Sequence, residues 1–464
     1  MNFTNPPFKT RSDISGLSVT VMGLGLNGGG LASARFFAEA GARVTVTDRK
    51  SETELAPSIE ALAGRENVRF VLGRHEIDDF KNADVVIKNP GVKLEGNEYL
   101  AAARSIETDV SVFLRFARAP IIACTGSKGK SSTVSAIQFG LKSLGYNSFL
   151  GGNITVSPLT FLDSTDGTTP VVLELSSWQL ADLRGRGILK PRVAVLTPIM
   201  ADHQNWYGGM EPYVADKKLI YADQDSSSSL LCNHDDEWGR VFASETKARV
   251  LMYSSRPLPN DVEGAWLEED GTGIIRLNGI ELPSLPKEIA VPGLHMRQNV
   301  LNAALALAAF GADAGKAGSA LAAFPGIEHR LEFFHEEAGV RWYNDSAATI
   351  PEAVAAALGS FREPVVLMTG GTDKNLDFHP LAKKAHLAKA VILLAGTGTD
   401  KLMPLLCERG IAYKGPYPDL ASLVSAARDA AQQGDVVLFS PGATSFGLFL
   451  NEFDRGRKFK AAVY

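Results

Sequence analysis

The chain contains few of the features that mark secreted, disulfide-linked or membrane proteins. Among its 464 residues are three cysteines, Cys124, Cys232 and Cys407, which lie far apart in the sequence. They lack the close spacing of a zinc or redox motif, and an odd number of cysteines is typical of a reducing compartment. The segment up to Gly16 has no apolar core of a signal peptide, and runs such as Val391–Ala395 are too short to cross a bilayer. We therefore expect a cytoplasmic protein that does not insert into membranes.

Clustered positive charge is also missing. The formal net charge is -5, with 47 basic and 52 acidic residues and no long basic run. A protein that binds duplex nucleic acid needs a cationic face, so nucleic acid is not an expected partner. The 45% content of hydrophobic residues is ordinary for a soluble globular protein. We expect a monomer that acts on small molecules.

What the sequence does contain is a regular alternation of short apolar runs with Ala/Leu-rich helical stretches. Continuous apolar runs of about four to eight residues suit strands covered on both faces, which predicts parallel sheets flanked by helices and an α/β fold. The runs are Val19–Met22, Val44–Thr47, Val85–Ile87, Ile121–Cys124, Val171–Leu175, Val193–Leu196, Val365–Met368, Val391–Ala395 and Val436–Phe439.

Breaks in this alternation divide the chain into three predicted domains, at residues 1–117, 118–325 and 326–464. Three domains agree with the length, at roughly 100–200 residues per domain. The second domain contains a more strand-rich region, about Val250 to Ile289, with a turn predicted at Asn278-Gly279. We expect its last helix at Asn299–Phe310, because this segment is rich in alanine and apolar on all sides.

The strongest local signal follows the run Ile121–Cys124. It reads Thr125-Gly126-Ser127-Lys128-Gly129-Lys130-Ser131-Ser132, a short glycine-bearing loop that opens a helix. Glycines let backbone N–H groups surround phosphate oxygens, and the helix N-terminus adds partial positive charge. Lys130 can reach the β- and γ-phosphates, and the Ser131 hydroxyl can ligate Mg²⁺. The loop, shorter than the usual P-loop, predicts a nucleotide-phosphate site; the alternative is a surface turn that binds nothing.

Further candidates follow the next two apolar runs. Glu174 lies near the end of a predicted strand, and ligands of parallel sheets bind beyond the carboxyl ends of the strands. Mg²⁺ prefers oxygen ligands, so one carboxylate with phosphates and a hydroxyl would suffice for it. Asp202-His203 follows the next strand, although a lone histidine is more often a polar loop residue than a ligand. Lys217 and Lys218, taken alone, are typical of a solvated helix face.

A second glycine cluster lies near the N-terminus. Val19–Met22 leads into Gly23-Leu24-Gly25-Leu26-Asn27-Gly28, a GxGxxG pattern, and Asp48 ends the second strand 20 residues beyond Gly28. This is the dinucleotide-binding fingerprint and by itself suggests an NAD-dependent dehydrogenase. The same geometry suits the pyrophosphate of a nucleotide sugar, and the motif does not separate the two.

The order of these segments resembles the Mur ligase family over nearly the whole chain, from about Gly23 to Phe459. Within the family, Asn344-Asp345-Ser346-Ala347-Ala348-Thr349 looks like the glutamate-adding branch. Besides the phosphate loop, the matching segments are Leu173-Glu174-Leu175-Ser176-Ser177-Trp178-Gln179-Leu180, Asp202-His203 with Tyr213 and Lys217, Gly293-Leu294-His295 with Asn299, His329-Arg330-Leu331-Glu332, Gly370-Gly371-Thr372-Asp373-Lys374 and Ser440-Pro441-Gly442-Ala443-Thr444-Ser445-Phe446.

The resemblance implies an amide-bond ligase of peptidoglycan precursor synthesis. It would use ATP and Mg²⁺ to join D-glutamate to UDP-N-acetylmuramoyl-L-alanine through an acyl phosphate. The first domain would be Rossmann-like and bind UDP instead of NAD, the central domain would be P-loop ATPase-like, and the Rossmann-like third domain would bind glutamate.

The resemblance also implies a role for each candidate residue. The catalytic residues would be Lys130, Glu174, His203 and Lys217, and the metal ligands Ser131, Glu174, His203 and Lys217, the last as a carbamate. ATP would contact Gly126, Ser127, Lys128, Gly129, Lys130, Ser131, Ser132, Asn299, Arg330 and Asp345. The UDP substrate would contact Gly25, Leu26, Asn27, Asp48, Asn89, Pro90, Gly91 and Asn153. Glutamate would contact Thr349, Lys374, Ser445 and Phe446.

The chain departs from the family pattern at a few positions. Ala347 and Met296 stand where the family often has Lys and Asn, and Gln204-Asn205 stands where an Asp is frequent. The basic contact to glutamate therefore falls on Lys374, which leaves L-glutamate or another amino acid as an alternative substrate. Ser445 could equally be the N-cap of a helix at Phe446–Phe453.

Two alternatives lie outside the family. An NAD-dependent oxidoreductase would explain the GxGxxG cluster, but it leaves the phosphate loop, Glu174 and the third domain without a role. A nucleotide-binding regulatory module without turnover is the other. Phosphate release that depends on both an amino acid and an acceptor would exclude the regulatory module.

Overall fold

The computed structural model describes residues 6–25, 28–154, 156–445 and 449–464, with residues 204 and 205 described by their backbone alone. These residues form an α/β protein with three sheets, as the apolar runs predict. The chain divides into two compact units, Met1–Leu285 with Leu301–Ala320, and Pro286–Val300 with Leu321–Tyr464. None of the helices in the described part of the chain combines the length and the hydropathy that a bilayer crossing requires.

The first sheet is parallel, with strand order β3-β2-β1-β4-β5. The chain leaves β1 toward β2 on one side and later adds β4 on the other, so the strand order reverses beside β1 and opens a crevice at the carboxyl ends of β1 and β4. The strands are β1 (Ser18–Met22), β2 (Arg43–Asp48), β3 (Val68–Leu72), β4 (Val85–Lys88) and β5 (Ile106–Glu107), and the helices are α1 (Gly29–Glu39), α2 (Glu52–Glu60), α3 (Ile77–Lys81), α4 (Glu98–Ala102) and α5 (Asp109–Phe116).

The second sheet has the order β14-β13-β12-β11-β10-β9-β6-β8-β7, and among its described strands only the β12–β13 and β13–β14 pairs are antiparallel. Its strands are β6 (Ile121–Thr125), β7 (Phe149–Gly152), β8 (Val171–Glu174), β9 (Val193–Leu196), β10 (Ser229–Asn233), β11 (Arg249–Ser254), β12 (Gly264–Leu267), β13 (Gly273–Leu277) and β14 (Ile280–Pro283). The helices of this part of the chain are α6 (Lys130–Ser143), α7 (Ser177–Ala181), α8 (Gln204–Tyr207), α9 (Met210–Lys218), α10 (Glu237–Glu245), α11 (Leu294–Phe310) and α12 (Ala314–Leu321).

Two sequence predictions in this region have different outcomes. The turn at Asn278-Gly279 is confirmed, because both residues have positive φ angles, 52° and 74°, and join β13 to β14 as a two-residue hairpin. The predicted bounds of the last helix were wrong. α11 begins at Leu294 instead of Asn299, since its first five residues mix apolar and polar side chains and lack the alanines on which the prediction depended, and α12 follows it.

The third sheet has the order β15-β16-β20-β17-β18-β19, and only the β15–β16 pair is antiparallel. The alternative helix at Phe446–Phe453 begins with residues 446–448, which lie outside the described residues. Residues 449–451 are not helical, and the last helix begins at Glu452, where Asn451 caps it by accepting from the Asp454 N–H. The strands are β15 (Glu332–Glu337), β16 (Val340–Asn344), β17 (Val365–Gly370), β18 (Ala388–Leu394), β19 (Tyr413–Tyr417) and β20 (Val436–Phe439), and the helices are α13 (Pro351–Leu358), α14 (His379–Lys384), α15 (Thr397–Glu408), α16 (Leu420–Ala430) and α17 (Glu452–Val463).

Candidate active site

The predicted phosphate loop follows β6, which lies between β8 and β9 in the second sheet. Cys124 pairs with Glu174, and Thr125 pairs with Leu196, so the three parallel strands end at nearly the same level. The segments that follow them therefore meet at one edge of the sheet, the position where parallel sheets bind ligands.

Two glycines give the phosphate loop its shape. Gly126 has a φ of 145°, and a Cβ there would lie 2.0 Å from the Oγ1 of Thr197. Any other residue would therefore displace Thr197, which directly follows β9. Gly129 has a φ of 89° and is the N-cap of α6, whose first residue is Lys130. The loop thus leads directly into a helix N-terminus, as phosphate binding requires.

Two lysines converge on the carbonyl groups of this loop. Lys130 Nζ donates to the carbonyl oxygens of Gly126 and Ser127, at 3.0 and 3.1 Å. Lys217 Nζ donates to the same Gly126 oxygen at 2.8 Å, from a side chain that is buried in α9. Burial, together with the nearby charge of Lys130, lowers the pKa of Lys217 to about 7. Lys218 is different, since it is partly exposed and pairs with Glu245 on the surface.

Tyr213 supports both the loop and Lys217. Its hydroxyl group lies 3.0 Å from Ser127 Oγ, and its ring centroid lies 4.4 Å from Lys217 Nζ. The spacing of four residues puts Tyr213 and Lys217 on one face of α9. Ser127 in turn accepts from the Met200 N–H at 2.9 Å, which attaches the loop to the segment after β9. Sequence reasoning used Tyr213 only as part of a motif, and the i, i+4 spacing was the available signal.

Glu174 is the carboxylate nearest to this loop in the sheet register. Its Oε1 accepts from Asn153 Nδ2 at 2.9 Å, whereas its buried Oε2 has no hydrogen-bond partner among the described residues. A buried carboxylate oxygen without a donor suits a cation. The described residues contain no group of three or more His, Cys, Asp or Glu side chains that could bind a metal ion. A metal ion here would therefore need further oxygens, such as the Ser131 hydroxyl and substrate phosphates.

His203 lies in the loop after β9. It is exposed, has a φ of 51°, and its ring centroid is 4.9 Å from that of Trp178. The neighbouring Asp202 pairs with Lys128 of the phosphate loop, at 3.6 Å. The His203 ring contacts the rings of both Trp178 and Tyr213. These contacts keep the loop beside α7, the helix that follows Glu174.

Apart from Asn153, which follows β7 of the second sheet, the described UDP contacts that the sequence predicted lie at the crevice of the first sheet. Asp48 Oδ2 accepts from the Gly25 N–H at 3.1 Å, which links the end of β2 to the glycine turn. Gly23, with a φ of 93°, is so close to the next turn that a Cβ there would lie 3.1 Å from Asn89 Cβ. Asn89 Oδ1 accepts from the Gly91 N–H and shapes the Asn89-Pro90-Gly91 turn. Leu26 and Asn27 lie outside the described residues.

In the second compact unit, Asp345 is a buried carboxylate at the end of β16. It accepts from Ser440 Oγ at 2.6 Å and from the Leu331 N–H at 3.1 Å. Burial raises the pKa of Asp345 to about 7, although these hydrogen bonds oppose the rise. Arg330 is exposed, and Asn299 is buried on α11, where its amide nitrogen lies 3.9 Å from the Met296 sulfur.

The predicted glutamate contacts lie on loops of the same unit. Thr349 precedes α13, Lys374 is exposed after β17, and Ser445 is buried after β20. Phe446 lies outside the described residues. Sequence reasoning missed Arg455, whose guanidinium donates to the carbonyls of Ser346 and Ala443, at 2.7 and 2.9 Å. It thereby joins the segments after β16 and β20, and no sequence motif indicated it.

Comparison with known proteins gives matches along most of the chain. Residues 17–111 match the Mur ligase MurD-like N-terminal domain, residues 124–310 the Mur ligase middle domain, and residues 329–442 the Mur ligase glutamate ligase domain. The UDP-N-acetylmuramoylalanine–D-glutamate ligase of Treponema pallidum (strain Nichols) is 45% identical, covering 98% of this chain and 99% of the relative. That of Borreliella burgdorferi (strain ZS7) is 41% identical, covering 97% and 98%.

Solved structures show the same fold. The UDP-N-acetylmuramate-alanine ligase MurC of Thermotoga maritima superposes with a TM-score of 0.58 at 20% identity, covering 96% of this chain and 98% of that one. MurF ligase of Thermotoga maritima, in complex with ADP, superposes with a TM-score of 0.54 at 17% identity, covering 98% and 96%. Because residues 17–111 match a Mur ligase N-terminal domain, the glycine turn of the first sheet lies in a ligase domain and not in a dehydrogenase. With all three domains matched and full-length relatives above 40% identity, the chain belongs to the Mur ligase family.

Proposed function

We propose that this enzyme adds D-glutamate to UDP-N-acetylmuramoyl-L-alanine, with ATP as the energy source, in peptidoglycan precursor synthesis. The observation that carries the proposal is the 45% identity to a ligase of that name over nearly the full length of both chains. The phosphate loop, Glu174 and Lys217 at one sheet edge supply the groups that such a reaction needs. The chain works in the cytoplasm as a monomer, in three domains with bounds at 1–117, 118–325 and 326–464.

The ATP phosphates bind at the loop Gly126–Ser132. Lys130 leaves its bonds to the Gly126 and Ser127 carbonyls and turns toward the β- and γ-phosphates, while the N-terminus of α6 faces them. Asn299, Arg330 and Asp345 contact the nucleotide. The bound phosphates make the site strongly anionic, so cationic side chains and metal ions dominate its electrostatics.

Ser131, Glu174, His203 and carbamylated Lys217 are the residues that would hold Mg²⁺. Glu174 fits this role because its buried Oε2 is without a donor in the described chain. When bound, the metal ions neutralise charge on the γ-phosphoryl group and polarise its oxygens. His203 would join them from the loop after β9.

The surroundings of Lys217 support the proposal that it is carbamylated. A carbamate forms when a neutral amine adds to CO₂, and burial against Tyr213 and beside Lys130 favours the neutral amine. The product is an anion whose oxygens suit Mg²⁺, whereas an ammonium group would repel it. The same conversion removes a positive charge from beside Lys130.

The reaction proceeds in two displacements. A carboxylate oxygen of the muramoyl-alanine attacks the γ-phosphorus, and ADP leaves, which forms an acyl phosphate. The glutamate amine then attacks the acyl carbon, the amide bond forms, inorganic phosphate leaves and the amine proton is released. Lys130 stabilises charge on the transferred phosphoryl group, and Asn153, held by Glu174, contacts the substrate near its carboxylate.

The substrates occupy two separate sets of residues. Gly25, Leu26, Asn27, Asp48 and the Asn89-Pro90-Gly91 turn bind UDP, and Thr349, Lys374, Ser445 and Phe446 bind glutamate. Lys374 provides the positive charge for a glutamate carboxylate, in the absence of a lysine at Ala347.

Phosphate release in the presence of UDP-N-acetylmuramoyl-L-alanine, ATP and a panel of D- and L-amino acids tests the function. We expect release with D-glutamate, and none when either the acceptor or the amino acid is omitted. Faster release with L-glutamate or another amino acid would refute the assigned specificity. Calorimetric titration with NADH serves as a control and should show no binding.

A further inference from the structure

Lys88 is a buried lysine that the reaction described above does not use. It ends β4, and its side chain is 2% exposed. Its Nζ donates to the carbonyl oxygens of Asn89 at 3.1 Å and Val92 at 2.9 Å, with a longer contact of 3.5 Å to that of Pro90. The carbonyl groups of the turn after β4 therefore converge on one ammonium group.

The counterion of Lys88 lies between β8 and β9, in the part of the chain that forms the second sheet. Asp182 Oδ2 lies 2.9 Å from Lys88 Nζ, and the Asp182 side chain is 5% exposed. Asp182 is the C-cap of α7, the short helix that directly follows Glu174 and β8. The ion pair thus connects the turn after β4 to the strand–helix segment that carries Glu174.

A second link runs from the same end of α7 to β5. Arg186 Nε donates to the carbonyl oxygen of Asp182 at 2.6 Å, and its NH1 group donates to Glu107 of β5 at 2.8 Å. The Arg186 and Glu107 side chains are also almost fully buried. The end of α7 is therefore attached to both β4 and β5 of the first sheet.

Buried ion pairs of this kind add little net stability, because desolvation of the two charges offsets their attraction, and apolar pairs often serve as well. Their geometry is nevertheless specific, since Lys88 Nζ donates to carbonyl oxygens of the turn and also lies 2.9 Å from the Asp182 carboxylate. The Lys88–Asp182 pair is therefore better explained as a device that positions the turn after β4 than as a source of stability.

We infer that Lys88 is a positioning residue for the UDP-linked substrate: through Asp182 it holds the Asn89-Pro90-Gly91 turn in register with the segment that carries Glu174. The inference rests on the proposed function, in which this turn contacts UDP and Glu174 lies at the reacting end of the substrate. The turn and Glu174 would meet opposite ends of one substrate molecule. The substrate can reach both at once only if they are held at the right distance from each other.

The double variant Lys88→Met/Asp182→Asn tests this inference. Removing both charges leaves no uncompensated ion in the interior, so the thermal midpoint should stay near that of the wild type. The turn carbonyls still lose their donor. We expect the KM for UDP-N-acetylmuramoyl-L-alanine to rise at least about tenfold, with the KM for ATP within about twofold. Lys81→Met, at an exposed position at the end of α3, is the matched control and should change neither KM.

Several results would overturn the inference. One is a double variant with a wild-type KM for the UDP substrate; another is an equal rise in both KM values together with a lower thermal midpoint, which is a general structural effect. If the double variant does not fold, Asp182→Asn alone carries the test, and it must raise the UDP-substrate KM at least about threefold while the ATP KM is unchanged.

A wrong proposed function would give a different result. In that case the wild type itself shows no phosphate release with any amino acid. The calorimetric affinity of wild type and variants for UDP-N-acetylmuramoyl-L-alanine then still tests Lys88, because this measurement needs no turnover. A tenfold weaker affinity of the double variant supports the inference, and an equal affinity overturns it.

Discussion

Lys217 Nζ donates a 2.8 Å hydrogen bond to the carbonyl oxygen of Gly126, so a lysine of α9 lies directly against the phosphate loop. The neighbouring Lys218 points to the surface and pairs with Glu245. The two adjacent lysines, which the sequence pattern treats alike, therefore have different environments. A surface role for Lys217 is excluded by its burial.

Lys217→Ala should lower the rate of ligation at least about a hundredfold, because the proposed carbamate and the oxygens it would offer to a metal ion are lost. Added acetate or formate should restore part of the rate by entering the vacated space. Lys218→Ala is the control, and its free energy of unfolding should change by less than about 1 kcal/mol, since surface ion pairs contribute little. Steady-state assays of both variants with and without acetate decide the matter. Full activity of Lys217→Ala would contradict the carbamate.

Lys130→Ala should reduce kcat by about a hundredfold or more, while calorimetric affinity for the UDP substrate stays within about threefold. The reason is that Lys130 belongs to the phosphate loop, and the UDP contacts lie on the first sheet. Lys142→Ala, exposed in the last turn of the same helix, should behave as wild type. A Lys130→Ala variant that keeps more than about a tenth of the wild-type turnover would be incompatible with the phosphate-loop assignment.

Asp48→Asn should weaken binding of the UDP substrate about tenfold and leave the KM for ATP unchanged, since a charged acceptor of the Gly25 N–H is replaced by a neutral one. Calorimetry with the UDP substrate and steady-state kinetics with ATP measure the two effects. Asp84→Asn is a matched control, because Asp84 accepts from the Ser18 N–H at the opposite end of β1. Equal losses for both ligands, or new NADP binding, would count against the UDP site.

Asp345 should make the second compact unit less stable as pH rises from about 4 to about 7. Its pKa rises from 3.8 to about 7 on folding, so in this window the folded chain keeps a proton that the unfolded chain has released. The contribution of Asp345 to stability therefore decreases through the window and is least favourable above about pH 7. Asp345→Asn lacks this titrating carboxyl group, so its stability does not show this pH dependence.

Thermal midpoints of wild type and Asp345→Asn, compared between pH 5 and pH 8, measure this dependence. The wild type should lose stability relative to the variant as pH rises. Asp429→Asn, at an exposed position on α16, should follow the wild type. Parallel curves for wild type and Asp345→Asn would disprove the assignment of the proton to Asp345.

Local patterns in the sequence were sufficient for the α/β fold, the family and the strand–glycine turn–helix segment at residues 121–143. The reason is that these depend on residues close together in the chain. The runs at Val19–Met22 and Ile121–Cys124 form strands in the described structure, and each leads into a glycine turn. Glu174 is at the end of its strand, as the run Val171–Leu175 predicted. Strand periodicity and turn chemistry are local properties, so a single sequence carries them.

Other features were decided by tertiary structure alone. Lys217 and Lys218 differ in burial because only the first faces the phosphate loop, and the helix pattern of α9 does not reveal which neighbour each side chain meets. Lys88 ends an apolar run as an ordinary lysine would, yet it is buried because Asp182, distant in sequence, supplies a counterion. Contacts between segments that are distant in the sequence determine where a charge can be buried. A single sequence does not give the distances between such segments, because the fold sets them.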